Sequence, residues 1–136
     1  MNNYKFVNTR MGSDSVFDYS NGNCYPAAAV PHGLNFFTIQ TNDKSNWFYN
    51  PKSQNFQGIR LTHMPSPWLG DYGKLLIWAE GEEAGCESAL YDSEGTVFEP
   101  SYIKAFVYNK DYTVELSPTD TCAIIHFTFG SFISRN

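Results

Sequence analysis

The sequence predicts an all-β fold, an antiparallel β-sandwich with little helix, formed as one domain over residues 1–136. Several segments alternate between apolar and polar side chains with a period of two, which is the pattern of half-buried strands. These segments are rich in β-branched and aromatic residues, and turn signals separate them at fairly even spacing, as in sandwiches. With 42 % hydrophobic and 17 % aromatic residues, the chain can bury a core, which argues against a disordered protein.

Residues 121–129 show the alternation clearly, because Ala123, Ile125, Phe127 and Phe129 fall on one side of the predicted strand. Residues 102–108 alternate in the same way. The other predicted strands are residues 33–40, 59–63, 75–78 and 112–116. One helical candidate, residues 82–91, is interrupted by Gly85, so helix is expected to be minor.

The charge balance of the chain argues against negatively charged partners. The chain has 9 basic and 14 acidic residues, a formal net charge of -5, and its basic residues are scattered. These features argue against a nucleic acid or an anionic membrane as partner. No apolar run approaches the roughly 20 residues of a membrane span. Residues 1–10 lack the apolar core of a signal peptide, so we expect a cytoplasmic location if Met1 is the natural start, and the location is otherwise unknown.

Motifs for nucleophilic, phosphate, dinucleotide or zinc chemistry are absent from the sequence. Three widely spaced cysteines exclude a full disulfide framework but allow one bridge. We expect free, buried thiols, since unpaired Cys is among the most buried residue types. His126 lies within a predicted strand and is interpreted as a sheet histidine. No acidic residue is marked as half of a catalytic carboxyl pair.

Residues 65–73 form the most unusual loop of the chain. Two prolines and two glycines surround Trp68, Asp71 and Tyr72, which are side chains typical of sugar sites. His63 ends the preceding strand and leads into this loop. Two structural alternatives remain open: Trp68 could fold back onto the core, and Asp71 could cap the backbone of its own turn.

The loop belongs to an ordered set of motifs. The set consists of Gly22-Asn23-x-Tyr25-Pro26-x-Ala28-x-x-Pro31-x-Gly33, then Gln57-Gly58-Ile59-x-x-Thr62-His63, then residues 65–73, then Glu99-Pro100-Ser101-Tyr102 and residues 113–120. In order and spacing it resembles the N-terminal domain of glycoside hydrolase family 92, the calcium-dependent exo-α-mannosidases. The resemblance covers residues 17 to 129. One departure is Ile59-Arg60-Leu61-Thr62-His63, where the family usually has Phe-Ser-His-Thr-His.

The resemblance implies a β-sandwich of the galactose-mutarotase-like supersandwich type, which leads into an (α/α)6 barrel in the family. The barrel carries the general acid, the base carboxylates and the calcium ligands, so calcium is expected in the parent enzyme and no metal or catalytic residue is expected in this chain. The implied partners are an α-mannoside or N-glycan-type carbohydrate and the missing barrel. The chain alone is therefore expected to be inactive. By position in the motifs, the substrate-binding candidates are Asn23, Tyr25, His63, Trp68, Asp71 and Tyr72.

Two other functions remain open from the sequence. The chain could be a free-standing carbohydrate-binding module that uses Trp68 as its platform, or a structural domain whose Trp68 loop packs on a partner. The chain also seems shorter than the family's full sandwich. Strand edges that are normally covered are then expected to be open, and unpaired edges favour homo-oligomers.

Overall fold

The computed structural model describes residues 3–14, 18, 24–41, 48–66, 73–80 and 89–130. A short 3-10 helix, Asn3–Phe6, precedes nine strands. The strands are β1 (Phe36–Gln40), β2 (Asn55–Phe56), β3 (Gly58–Thr62), β4 (Leu75–Ile77), β5 (Ala89–Leu90), β6 (Val97–Glu99), β7 (Tyr102–Val107), β8 (Tyr112–Pro118) and β9 (Ala123–Phe129). In this part of the chain, no helix combines the length and the apolarity needed to cross a bilayer.

The strands form three antiparallel sheets. The first, which we call the front sheet, has the order β1-β3-β4, and the second, the back sheet, has the order β6-β7-β8-β9. β2 and β5 form a two-stranded ribbon. The ribbon is continued by Tyr91, which bridges to Val107 at the end of β7 and thereby joins the ribbon to the back sheet.

One core lies between the front and back sheets. Strand alternation turns Phe37 and Ile39 of β1 and Ile59 of β3 toward Ile103, Ala105 and Val107 of β7 and Val114 and Leu116 of β8. Phe56 of the ribbon packs edge-on against the rings of Tyr91 and Tyr112. Burial of this apolar surface is the main favourable contribution to folding.

The N-terminal segment is held against the back sheet by side-chain hydrogen bonds. Arg10 Nη2 donates to the carbonyls of Ser93 (2.7 Å) and Thr96 (3.0 Å), and the guanidinium lies 4.9 Å from the ring centroid of Phe98. Thr9 Oγ1 donates to the Phe98 carbonyl over 3.1 Å. These contacts fix the segment to the β6 side of the sandwich.

The all-β, antiparallel sandwich expected from the sequence is confirmed. All six predicted strands are present, and their ends differ from the predicted ones by at most three residues. β2, β5 and β6 were not predicted, since two or three residues are too short to show a period. The helical interpretation is wrong for Ala89 and Leu90, which form β5, while residues 82–88 lie outside the described part of the chain.

Candidate functional site

Residues 24–35, which we call the connecting segment, join the front sheet to the back sheet. Ala28 exchanges backbone hydrogen bonds of 2.8 and 3.0 Å with Phe37 of β1. Ala29 N donates to the Pro100 carbonyl over 2.8 Å, and Leu34 N donates to the Asp120 carbonyl over 3.0 Å. The segment is therefore fixed from both sheets, and it holds the candidate site in place.

Residues 31–33 form a tight turn in the second half of the connecting segment. His32 is exposed and has a φ of 65°, a left-handed conformation that costs a non-glycine residue free energy. Gly33 N donates to the Val30 carbonyl over 2.9 Å and closes the turn. The chain then reaches Asn35, whose Nδ2 donates to the Thr121 carbonyl over 2.5 Å.

Tyr25 supports the beginning of the 65–73 loop. Its side chain is 7 % exposed, and its hydroxyl donates a 2.6 Å hydrogen bond to the carbonyl of Met64. The ring lies 4.8 Å from that of Phe48, at 59°. Burial raises the pKa of the Tyr25 hydroxyl, although the charge of Arg60 opposes the shift. The hydroxyl thus stays protonated and remains a donor to the loop backbone.

His63 lies at the same end of β3 but is exposed. Its Nδ1 is 3.1 Å from the carbonyl oxygen of Leu34. Because a carbonyl only accepts, this bond requires the proton on Nδ1. In the neutral ring, Nε2 is then a hydrogen-bond acceptor.

Gly73, at the other end of the loop, lies directly against the His63 ring. A Cβ on Gly73 would be 2.5 Å from His63 Cδ2 and 2.8 Å from Nε2, and Gly73 has a φ of 65°. Only glycine meets both demands without strain. His63 and Gly73, which flank residues 65–72, therefore lie in direct contact.

Of the six predicted substrate-binding residues, the structure describes Tyr25 and His63 and brings both to the base of the loop. The other four candidates, Asn23, Trp68, Asp71 and Tyr72, lie outside the described residues. The expectation that the Trp68 side chain faces a sugar cleft therefore stays a prediction. The contacts of Tyr25 with Met64 and Phe48 are intramolecular, and its predicted role in substrate binding stays a prediction.

Arg60 of β3 lies close to Tyr25 in the structure, although the sequence did not single it out. Its guanidinium lies 4.3 Å from the ring centroid of Phe48, and Nη1 donates to Gln40 Oε1. Gln40 Nε2 in turn donates to Gln57 Oε1 over 2.9 Å. Burial lowers the pKa of Arg60, with the nearby Tyr25 opposing the shift, yet guanidinium remains charged in proteins. The outer face of the front sheet therefore carries a half-buried positive charge.

The contacts of Arg60 explain why sequence reasoning missed it. Alternation along β3 places Arg60 on the opposite face from Ile59 and Leu61, which is the usual position of a solvated charge. Phe48 and Gln40 reach it only through the fold. The available signal was that Arg60 is the single charged residue of β3.

The described acidic groups form no metal centre. Within the described ranges, no group of three or more His, Cys, Asp or Glu side chains is arranged to hold a metal ion. Asp14 is paired with Lys52 at 3.1 Å on the surface. The expectation that the parent enzyme's calcium ligands lie elsewhere stays a prediction.

The cysteine prediction needs a correction. Cys24 and Cys122 are free thiols, as expected, but both are exposed. Cys24 lies in the connecting segment and Cys122 in the turn before β9, where neither side chain reaches the core. Cys86 lies outside the described residues.

A family model and the solved structures both relate this chain to glycosyl hydrolase family 92. Residues 6–135 match the model of the glycosyl hydrolase family 92 N-terminal domain. The solved family 92 inverting mannosidase of Bacteroides thetaiotaomicron VPI-5482 is similar in structure, with a TM-score of 0.84 and 33 % identity. A family 92 α-mannosidase of Bacteroides thetaiotaomicron, solved in complex with mannoimidazole, has a TM-score of 0.75 and 20 % identity. No curated protein sequence matches significantly.

The chain spans only a small part of these solved mannosidases. The match to the inverting mannosidase covers 95 % of this chain and 18 % of the mannosidase. The match to the second enzyme covers 93 % of this chain and 18 % of that protein. The shared region is thus a β-sandwich that, in the solved enzymes, belongs to a much longer protein.

Proposed function

The chain belongs to glycosyl hydrolase family 92, and we propose that it is the N-terminal β-sandwich of an α-mannosidase, where it supplies part of the wall of the mannoside pocket. In this proposal the catalytic carboxylates and the calcium ligands belong to the barrel domain that completes the enzyme. The substrate is a terminal α-mannoside or an N-glycan-type carbohydrate. Self-association through an open strand edge stays a prediction separate from this role.

The observation that carries the proposal is the closure of the 65–73 loop at its base. His63 bonds to the connecting segment and contacts Gly73, and Met64 accepts a bond from Tyr25. Fixed flanking residues limit the conformational entropy that the segment between them would lose on binding a ligand, which favours affinity. This supports a binding role for the loop rather than a role as a simple connector.

The residue types at the loop suit a sugar. An indole such as that of Trp68 stacks on the apolar face of a pyranose, while Asp71 and Tyr72 can bond to hydroxyls. The exposed His63 offers Nε2 as an acceptor when Nδ1 donates to Leu34. Tyr25 has a supporting role in this proposal, since its hydroxyl is already bonded to the Met64 carbonyl just before the loop.

The proposal is tested with the 136-residue chain by two measurements. With an aryl α-mannoside we expect no release of mannose, since the catalytic groups belong to the barrel. By tryptophan fluorescence or calorimetry we expect weak, saturable binding of mannobiose in the millimolar range, because only part of the pocket is present. Release of mannose would contradict the proposal that the catalytic groups belong to the barrel.

Two tryptophan variants give the matched comparison. Trp68→Ala should abolish binding, whereas Trp78→Ala should leave it unchanged, because Trp78 is an exposed indole just after β4 that contacts Glu80. Absence of binding in the unmodified chain would contradict a pocket role. Micromolar binding would instead favour a free-standing carbohydrate-binding module.

A further inference from the structure

Arg60 lies in the middle of β3, on the outer face of the front sheet, and its guanidinium has two kinds of contact. Nη1 donates a hydrogen bond to Gln40 Oε1, and the guanidinium carbon lies 4.3 Å from the centroid of the Phe48 ring. Gln40 is fixed in turn, because its Nε2 donates to Gln57 Oε1 over 2.9 Å. The front sheet thus sets the position of the guanidinium, which presents a planar cation to the Phe48 ring.

Phe48 links Arg60 to Tyr25. Its backbone is attached to the chain just after β1, since Thr41 N donates to the Phe48 carbonyl over 2.8 Å. Phe48 is 4 % exposed, and its ring lies against the Arg60 guanidinium and 4.8 Å from the ring of Tyr25, at 59°. Because buried side chains are closely packed, a change in the Arg60 side chain reaches Tyr25 through the Phe48 ring.

Tyr25 extends these contacts to the start of the 65–73 loop. Its hydroxyl donates a 2.6 Å hydrogen bond to the Met64 carbonyl, and Met64 N donates to Thr62 Oγ1 over 3.0 Å. Both backbone polar groups of Met64 are therefore bonded just before the loop begins. The contacts run from Arg60 through two aromatic rings to the Met64 carbonyl.

The charge of Arg60 also acts on the Tyr25 hydroxyl directly. Burial raises the pKa of Tyr25, and the charge of Arg60 opposes that rise. A cation near the phenol oxygen polarises the O–H bond, which makes the hydroxyl a better donor to the Met64 carbonyl. Geometry and charge thus both favour the bond between Tyr25 and Met64.

We propose that Arg60 is a positioning residue for the base of the 65–73 loop: it fixes the Phe48 ring, which fixes Tyr25 on the Met64 carbonyl. Its effect on sugar affinity rests on the proposed function, in which this loop carries the sugar contacts. Lysine does not replace Arg60 fully. An ammonium group is a point charge, whereas a planar guanidinium stacks on a ring and donates in its own plane at the same time.

The carbonyl-carbon NMR shift of Met64 tests this role, because such a shift responds to the hydrogen bond that the oxygen accepts. Tyr25→Phe supplies the value without the bond. We expect Arg60→Met to move the Met64 shift part of the way toward that value, and Arg60→Lys, the milder variant should Arg60→Met not fold, to move it less. In a Tyr25→Phe background neither should change it further. An unchanged shift, or an equal change with and without the Tyr25 hydroxyl, would overturn the proposal.

Arg10→Met is the matched control. Arg10 also lies over an aromatic ring, 4.9 Å from the centroid of Phe98, and its Nη2 donates to two backbone carbonyls on the β6 side of the sandwich. The substitution removes a comparable set of contacts but leaves those of Arg60 in place, so the Met64 shift should not change. A change as large as that in Arg60→Met would show that lost stability alone moves Met64, which would contradict a positioning role.

Titration with mannobiose separates this proposal from the proposed function. We expect Arg60→Met to raise the dissociation constant about threefold, since the Met64 bond is loosened and not removed. An unmodified chain that binds no mannobiose would contradict the proposed function, and the Met64 shift would still decide whether Arg60 positions the base of the loop. If the unmodified chain binds mannobiose and Arg60→Met binds it equally well, the role of Arg60 in sugar binding is wrong while the proposed function stands.

Discussion

The front and back sheets both carry polar residues on their outer faces but differ in what covers them. On the front sheet, Thr38 and Thr62 are 0 % exposed and Gln40 is 5 % exposed. On the back sheet, Lys104 and His126 occupy equivalent alternating positions and are open to solvent. The difference teaches that alternation identifies the two faces of a sheet, whereas burial depends on segments distant in sequence.

The outer face of the front sheet is covered by part of the connecting segment and by aromatic rings. Thr38 Oγ1 donates to the Pro26 carbonyl over 2.9 Å, and Tyr25 and Phe48 lie above the sheet. The back sheet has a side-chain cluster in the corresponding place, in which Tyr102 and Lys104 engage Glu115. We therefore expect substitutions on the front sheet to cost stability and those on the open face to cost little.

Gly58→Ala should have the largest effect. Gly58 has a φ of 142°, and a Cβ there would lie 2.7 Å from the carbonyl oxygen of Ile77, which belongs to the paired strand β4. Backbone strain combined with this clash should lower the free energy of unfolding by about 2 kcal/mol or more. Urea denaturation followed by fluorescence measures the change. A loss below about 0.5 kcal/mol would show that the front sheet adapts more easily than its backbone contacts imply.

Tyr25→Phe should have an intermediate effect. The change removes the bond to the Met64 carbonyl but keeps the ring contact with Phe48, so we expect a loss of about 1 kcal/mol in the free energy of unfolding. Tyr108→Phe is the control, since Tyr108 is exposed after β7 and should change stability by less than about 0.5 kcal/mol. Equal losses of unfolding free energy in Tyr25→Phe and Tyr108→Phe would contradict the expected difference between the covered front sheet and the open back sheet.

Glu115→Gln should have the smallest effect at neutral pH. The hydrogen bond from Tyr102, followed by the charge of Lys104, holds the pKa of Glu115 below its ordinary value of 4.5. Its contribution is therefore present above that ordinary value and disappears as the pH falls through the lowered pKa of the folded state. Denaturation midpoints between neutral and acid pH should fall less steeply for the variant, and high salt should reduce the difference. Identical slopes would contradict the ion-pair role.

The sequence predicted the sandwich because its long strands alternate cleanly. β7, β8 and β9 each place one apolar set toward the core, and this pattern needs no knowledge of distant residues. β2 and β5 are fixed by partners elsewhere, as when Tyr91 N donates to the Gln54 carbonyl. Such contacts leave no local period, so two-residue strands were missed.

The candidate site was predictable to a smaller extent. The motifs selected Tyr25, which bonds to the Met64 carbonyl, and His63, which bonds to the Leu34 carbonyl and lies against Gly73. They did not select Arg60, because its partners Gln40 and Phe48 come from other parts of the chain. The roles of residues 67–72 depend on side-chain direction in a loop, which composition alone does not determine.

The bonds between the connecting segment and the back sheet also impose an order on biosynthesis. Asn35 bonds to Thr121, 86 residues later in the chain, and Leu34 bonds to Asp120. A ribosome delivers residues one by one from the N-terminus, so residues 24–35 cannot complete these bonds before the β8–β9 hairpin has emerged. Contacts this far apart in sequence slow folding, and the apolar side of β1 finds its partners only when β7 and β8 are available.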